Sequence, residues 1–158
     1  TDVNNLNRAL AMISDIGKLT GKYLIAETII ERISDSFRNL SLTRPPIKTA
    51  YLIWRKPYMT TGEDTFINDM LLKCGFENVF TGKIRYPEIS ISELQNSNCQ
   101  LLILSSEPYP FKQKHVDELK EQLPGCKIIL ADGEFFSWYG SRLLAAPDYF
   151  RKFINSVI

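Results

Sequence analysis

Apolar side chains recur at helical spacing from Thr1 to Leu40. Leu6, Leu10, Ile13, Ile16, Tyr23, Ala26, Ile30, Ile33, Phe37 and Leu40 share one side, and charges and amides take the other. The spacing predicts an amphipathic helix of about ten turns, bent where Gly17 and Gly21 weaken its interior. Asp2 and Asn4 are candidate N-caps, and Arg44-Pro45-Pro46 ends the helix because proline lacks the donor a further turn needs. At ~1.5 Å per residue such a helix would span on the order of 55 Å, longer than the remaining domain is wide. A helix of that length pairs with another chain or braces something outside this one.

After Pro46 short apolar runs alternate with helical ones. Thr49 to Trp54 reads as a strand buried on both sides, followed by a loop carrying Pro57, Tyr58 and Gly62. Glu63-Asp64-Thr65 opens a helix from Phe66 to Cys74, and Gly75 stops it. Asn78 to Phe80 is a short strand and Tyr86 to Ile89 a loop. Ser90, with Glu93 three residues on, forms a capping box. Leu101 to Ser105 is the clearest strand, and it runs into an aromatic and proline loop, Ser106 to Phe111. A charged helix from Lys112 to Leu123 follows, then a Pro124-Gly125 turn and a strand, Lys127 to Ala131. Asp132 to Arg142 is a loop passing into a helix, and Asp148 to Ile158 closes the chain. This alternation predicts an α/β, Rossmann-like lobe over residues 42–158, a central parallel sheet of about four strands flanked by helices, with the long helix over 1–41 ahead of it.

Composition narrows the function. Charged residues make up 23% of the 158 and the formal net charge is +1, with Lys and Arg scattered. That balance argues against a nucleic-acid partner, which would call for a basic stripe. No apolar run approaches the ~20 residues needed to cross a bilayer. Thr1 stands where an initiator methionine would, as expected downstream of a removed leader or a preceding segment. Cys74, Cys99 and Cys126 form no C-x-x-C pair. Cys99 and Cys126 each just precede a strand, so their thiols approach if those strands are neighbours; the alternative is three small buried apolar residues.

In a parallel sheet, ligands sit beyond the carboxyl ends of the strands. Aromatic residues crowd the loops there: Trp54, Tyr58, Tyr86, Tyr109, Phe111, Trp138 and Tyr139. They suit a large flat or partly apolar ligand, although some must cap the core. Glu107, Asp132 and Glu134 stand near strand ends as metal ligands, acid–base groups or simple caps. Arg55, Lys56 and Arg142 either hold a ligand's anionic groups or close ion pairs with Asp64, Glu107 or Asp132. His115 reads as a solvated helix residue. No G-x-G-x-x-G after a strand, G-x-x-x-x-G-K-[ST] or G-x-S-x-G is present, and nothing points to an enzyme.

Tyr51-Leu52-Ile53-Trp54-Arg55-Lys56-Pro57, Gly62-Glu63-Asp64-Thr65-Phe66-Ile67 and Gly75-Phe76-Glu77-Asn78-Val79-Phe80 resemble the carboxyl-terminal lobe of substrate-binding proteins of ABC importers, in the cobalamin and iron-siderophore family with a helical backbone. Tyr86-Pro87-Glu88-Ile89-Ser90, Ser105 to Phe111 and Asp132 to Arg142 extend the resemblance over nearly the whole chain. It implies a periplasmic or lipid-anchored, non-enzymatic receptor of two lobes joined by a backbone helix. The ligand, a corrinoid or ferric siderophore held without a covalent bond, would lie between lobes against Trp54, Arg55, Tyr58, Tyr86, Tyr109, Phe111, Trp138 and Tyr139. Glu93 or Glu88 would dock ABC permease subunits at the inner membrane. Residues 1–41 would be the interlobe helix, with the amino-terminal lobe absent from this chain. Alternatives are a stand-alone interaction module that self-associates through its exposed helix, and a receptor for bare manganese or zinc.

Overall fold

In the computed structural model, which describes residues 2–38, 40 and 45–157, the longest strand, β1 (Ile47–Trp54), organises a six-stranded sheet. One of its edges pairs in parallel with β5 (Leu101–Ser105), which pairs in parallel with β6 (Lys127–Ala131). The other edge is shared. The start of β1 takes β3 (Phe76–Asn78) in parallel, and its end takes β2 (Tyr58–Thr60) antiparallel. A two-residue strand, β4 (Glu88–Ile89), then extends β2 antiparallel. Three of the four parallel strands are those the apolar runs predict; the fourth, expected at Asn78 to Phe80, lies two residues earlier at Phe76–Asn78, where it pairs with the start of β1. β2 and β4 fall in segments expected to be loops, being too short to show an alternating pattern.

Alternation along β1 splits the core in two. Tyr51 and Ile53 face a cluster with Leu101, Ile103, Phe136, Phe150 and Phe153. Ala50 and Leu52 face Leu102, Leu104, Ile128, Val116 and Leu119 on the opposite side. The second face is covered by α4 (Ile91–Asn96), with the expected Ser90–Glu93 capping box, and α5 (Gln113–Gln122). The first is covered by α3 (Phe66–Lys73), α6 (Gly133–Ser137), a 3-10 turn (Ser141–Leu144) and α7 (Ala146–Val157).

The same face also takes the amino-terminal segment, which differs from the long helix expected. It forms α1 (Leu6–Leu19) and α2 (Tyr23–Arg38), separated by a reversal. Gly21 adopts φ +68°, and the N–H groups of Gly21 and Lys22 donate to the carbonyls of Lys18 and Gly17. This Schellman ending does more than bend a helix. Gly17 lies against α2 so closely that an added Cβ would meet the Ala26 Cβ at 2.4 Å. Both far ends reach the lobe: Leu6 and Ala9 are buried, the Leu6 N–H donates to Asp69 of α3 at 2.8 Å, and Phe37 packs edge-on to Phe150. The first half of the segment is thus not the exposed part. Exposure concentrates at the reversal, where Leu19, Leu24 and Ile25 are 87%, 79% and 58% accessible. The N-cap of α1 is Asn5, whose side chain accepts from the Arg8 N–H, and not Asp2 or Asn4. Arg44, part of the expected helix stop, lies outside the described residues.

Candidate functional site

The carboxyl ends of β1, β5 and β6 open onto loops tied to one another through the backbone. The Tyr109 N–H donates to the Ile53 carbonyl at 3.2 Å, joining the loop after β5 to the end of β1. The Gly133 N–H donates to Ser106 Oγ at 3.0 Å, joining it to the loop after β6. That contact depends on glycine: an added Cβ would sit 2.3 Å from Ser105 Oγ and 2.7 Å from Glu107 Cγ. Beneath it the buried Tyr51 hydroxyl donates to Ser105 Oγ at 3.0 Å, which donates to the Glu107 carbonyl at 2.6 Å. Burial holds the Tyr51 phenol neutral, well above its ordinary pKa. Farther along the edge, the Gly62 and Glu63 N–H groups donate to the carbonyls of Arg85 and Lys83, and Asp64 accepts from the Arg85 N–H. These bonds anchor the segment that carries Tyr86.

On this scaffold the aromatic rings sort into exposed and supporting ones. Trp54, Tyr86, Trp138 and Tyr139 are exposed, and Tyr58 and Tyr109 half-buried. Trp54 stands edge-on to Tyr109 at 5.8 Å, and Tyr139 edge-on to Phe66 at 5.5 Å. Trp138 is held by its polar handle: its Nε1–H donates to Glu107 Oε1 at 2.8 Å, and the Ser137 hydroxyl donates to the same oxygen. Tyr86 lies near Asp64 and Tyr139, and burial lifts its phenol pKa against the opposing charge of Arg85. Phe111 differs from the expectation. It is buried and packs 4.8 Å from Tyr109 and 5.6 Å from His115, supporting the surface from below.

The polar candidates mostly face their neighbours. Arg55 donates to Glu118 of α5, a partner not foreseen from sequence because it lies 63 positions away. The Tyr58 and Tyr109 hydroxyls, more than Glu118, hold its guanidinium charged. Arg142 bonds to Glu134, lies 3.8 Å from Asp132 and stacks over the Phe135 ring at 4.5 Å. Phe135 in turn stacks on Tyr149, whose hydroxyl accepts from the Asp132 N–H, burial pushing that phenol up to about 12. Asp132 caps α6, so the capping role falls to it and not to Glu134. Among the described residues no group of three or more His, Cys, Asp or Glu is placed to hold a metal ion.

His115 is not solvated. Its Nδ1 accepts from the Lys112 N–H at 2.9 Å, and Tyr109 and Phe111 cover the ring. Burial first, then the charge of Arg55, lowers its pKa. Of the two expected docking carboxylates, Glu93 is engaged by the Ser90 cap and by Lys83 at 3.0 Å, which lower its pKa. Glu88 is exposed on β4, opposite Met59 of β2. Ser137, Glu118 and Phe66 carry the site from behind. A Ser or Glu inside a helix gives no sequence signal of that kind.

Neither a known family model nor a curated protein sequence matches the chain. Solved structures do. An iron-binding (periplasmic solute-binding) protein, so described as possible, from Staphylococcus epidermidis superimposes with TM-score 0.81 at 19% identity, over 99% of this chain and 64% of that one. The periplasmic vitamin B12-binding protein of Vibrio cholerae gives 0.77 at 14% identity, over 99% and 64%. A periplasmic heme-binding protein from Roseiflexus sp. RS-1 gives 0.80 at 18%, over 99% and 66%. The chain spans about two thirds of the length of these proteins. None of the described helices is long and apolar enough to cross a membrane. With its mostly parallel sheet flanked by helices, the chain has the fold of the matched part of these periplasmic binding proteins.

Proposed function

We propose that this chain is part of the substrate-binding component of an ABC importer, and that it receives a metal chelate on the edge formed by the β1, β5 and β6 loops. The observation that carries the reading is the arrangement of rings there: Trp54, Tyr86, Trp138 and Tyr139 are exposed together, Trp54 and Tyr139 each leaning on a ring and Trp138 bonded to the half-buried Glu107. Rings held in place bury ligand area with little further loss of side-chain entropy. Trp54, Tyr58, Tyr86, Tyr109, Trp138 and Tyr139 are the contact residues; Arg55 positions Tyr58 and Tyr109 as much as it offers charge. The ligand is a planar or ring-shaped chelate, a corrinoid, a ferric siderophore or a heme, bound without a covalent link. The other half of the cleft comes from an amino-terminal lobe outside this chain, with α1 and α2 as the interlobe element. The exposed Glu88 docks a permease subunit at the inner membrane, while Glu93 is the weaker candidate because Ser90 and Lys83 engage it. The protein works in the periplasm, free or lipid-anchored.

The chain has two tryptophans, and both lie on this edge, so their fluorescence reads the site directly. Titration with cyanocobalamin, hemin or a ferric hydroxamate siderophore should quench it weakly in this chain and strongly in a protein carrying both lobes. Absence of quenching by all of these in the two-lobed protein rejects the reading.

A second reading rests on Leu19, Leu24 and Ile25, exposed at the α1–α2 reversal. Under it the chain is a stand-alone interaction module that pairs through this tip. Sedimentation showing a stable dimer of this chain, broken by Leu24→Ser, favours that second reading. A receptor for bare manganese or zinc finds no three-ligand group among the described residues.

A further inference from the structure

A cleft of about 570 Å³ lies at the end of the sheet opposite the aromatic edge. It is lined by Lys48, Leu94, Gln100 and Leu123, and by two thiols, those of Cys99 and Cys126. Their sulfurs are 3.7 Å apart, with the Cys126 thiol donating to Cys99 Sγ. They meet because β5 and β6 are adjacent parallel strands in the register Leu101 to Lys127, which brings the residues just ahead of each strand side by side. The Lys127 N–H donates to the Gln100 carbonyl at 2.9 Å and keeps the two strand starts together.

We propose that Cys99 and Cys126 are an oxidisable pair whose disulfide staples the start of β5 to the start of β6 across the α5 crossover. A disulfide needs the sulfurs at about 2.05 Å, so they must close by roughly 1.7 Å. Both backbones have room to give. Cys99 follows Asn98, a left-handed turn residue at φ +54°, and Cys126 follows Gly125, whose Cα faces open space. Neither cysteine lies inside a strand. The third thiol cannot compete: Cys74 is buried in the core on the other face of the sheet.

The reaction is thiol–disulfide exchange with an external disulfide that enters the cleft. The hydrogen bond from Cys126 favours the Cys99 thiolate and disfavours ionisation of Cys126 itself. Cys99 attacks one sulfur of the external disulfide, forming a mixed disulfide and displacing a thiolate. Cys126 then loses its proton and attacks Cys99 Sγ, displacing the second thiolate. Two protein thiols are oxidised to one disulfide, the external disulfide is reduced to two thiols, and the two thiol protons pass to the departing sulfurs.

Incubating the reduced chain with oxidised glutathione tests this. The product should weigh two hydrogens less, and trypsin should leave the peptides 86–112 and 121–127 joined until dithiothreitol is added. Closing a loop whose ends are 27 positions apart should raise the Tm by roughly 10 °C over the reduced protein. Cys99→Ser and Cys126→Ser should each lose both the cross-link and the shift. An unchanged mass, glutathione adducts that persist on both cysteines, a bridge that includes Cys74, or a cross-link with no rise in Tm overturns the proposal. The mass of the wild-type protein decides the matter even where a serine variant folds poorly.

Discussion

The carboxyl edge of the sheet and the α1–α2 reversal both expose large apolar side chains, and they are built in opposite ways. At the carboxyl edge of the sheet three of the exposed rings have a fixed partner: Trp138 bonds to Glu107, Trp54 leans on Tyr109, and Tyr139 leans on Phe66. At the α1–α2 reversal Leu19 and Leu24 are still more exposed, and they are flexible aliphatic chains on a helix surface. An anchored ring with a polar handle keeps one orientation in water and so suits a small ligand. An aliphatic tip has shape only when something packs on it, which suits a protein surface.

The contrast breaks most visibly if glycine is removed where each surface is tightest. Gly133→Ala forces a Cβ against Ser105 and Glu107, and Gly17→Val forces a Cβ, with two methyls beyond it, against Ala26. Each should cost about 1–3 kcal/mol in urea unfolding, as overpacking does. Only Gly133→Ala should also abolish ligand quenching of tryptophan fluorescence. Equal loss of quenching in both variants would mean the two surfaces are one.

A smaller effect separates the anchor from the ring. Glu107→Gln weakens the acceptor shared by Ser137 and Trp138 and should cost about 1 kcal/mol, since the pair is partly solvated. Trp138 emission should shift to the red as the indole loosens. An unchanged spectrum would show that the carboxylate does not set the ring.

The support beneath the edge should also report on pH. His115 is neutral and buried in the fold, with a pKa below that of a free imidazole. The unfolded chain therefore takes up its proton first, and stability declines as pH falls below about 6.5, toward the folded pKa. Arg55, Lys114 and Lys112 oppose the added charge and Glu118 favours it. Urea midpoints at pH 7.5 and 5.0 should differ in that direction, and His115→Asn, which keeps an acceptor for the Lys112 N–H, should flatten the difference. The smallest change belongs to the tip. Leu24→Ser should alter stability by no more than about 0.5 kcal/mol while raising solubility, and a larger loss would mean that Leu24 has a partner within the chain.

Local pattern carried much of this architecture. Leu101 to Ser105 is buried throughout because both faces of the sheet are covered there, and it and the apolar run Ile128 to Ala131 read as strands without further help. The Ser90 capping box and the Gly75 stop are satisfied within one turn of chain, so they too were legible. Crowded aromatics in three loops likewise pointed to one edge.

Other features were decided between distant residues. The stripe from Leu6 to Leu40 has the same periodicity whether the helix runs on or doubles back. The reversal is set by a left-handed Gly21 and by the fit of Gly17 against Ala26, and a one-dimensional pattern encodes neither. Phe111 and Tyr109 look alike as loop aromatics and both pack against His115, yet Phe111 is buried in the core and Tyr109 is half open. Arg55 found Glu118, and Cys99 found Cys126, through strand order and register. The apolar runs of the strands and the Ser90 capping box are satisfied by neighbours in sequence and were determined by sequence alone. Which rings stay exposed, which charges are paired and which thiols meet depend on contacts across the sheet, and only the tertiary structure decided them.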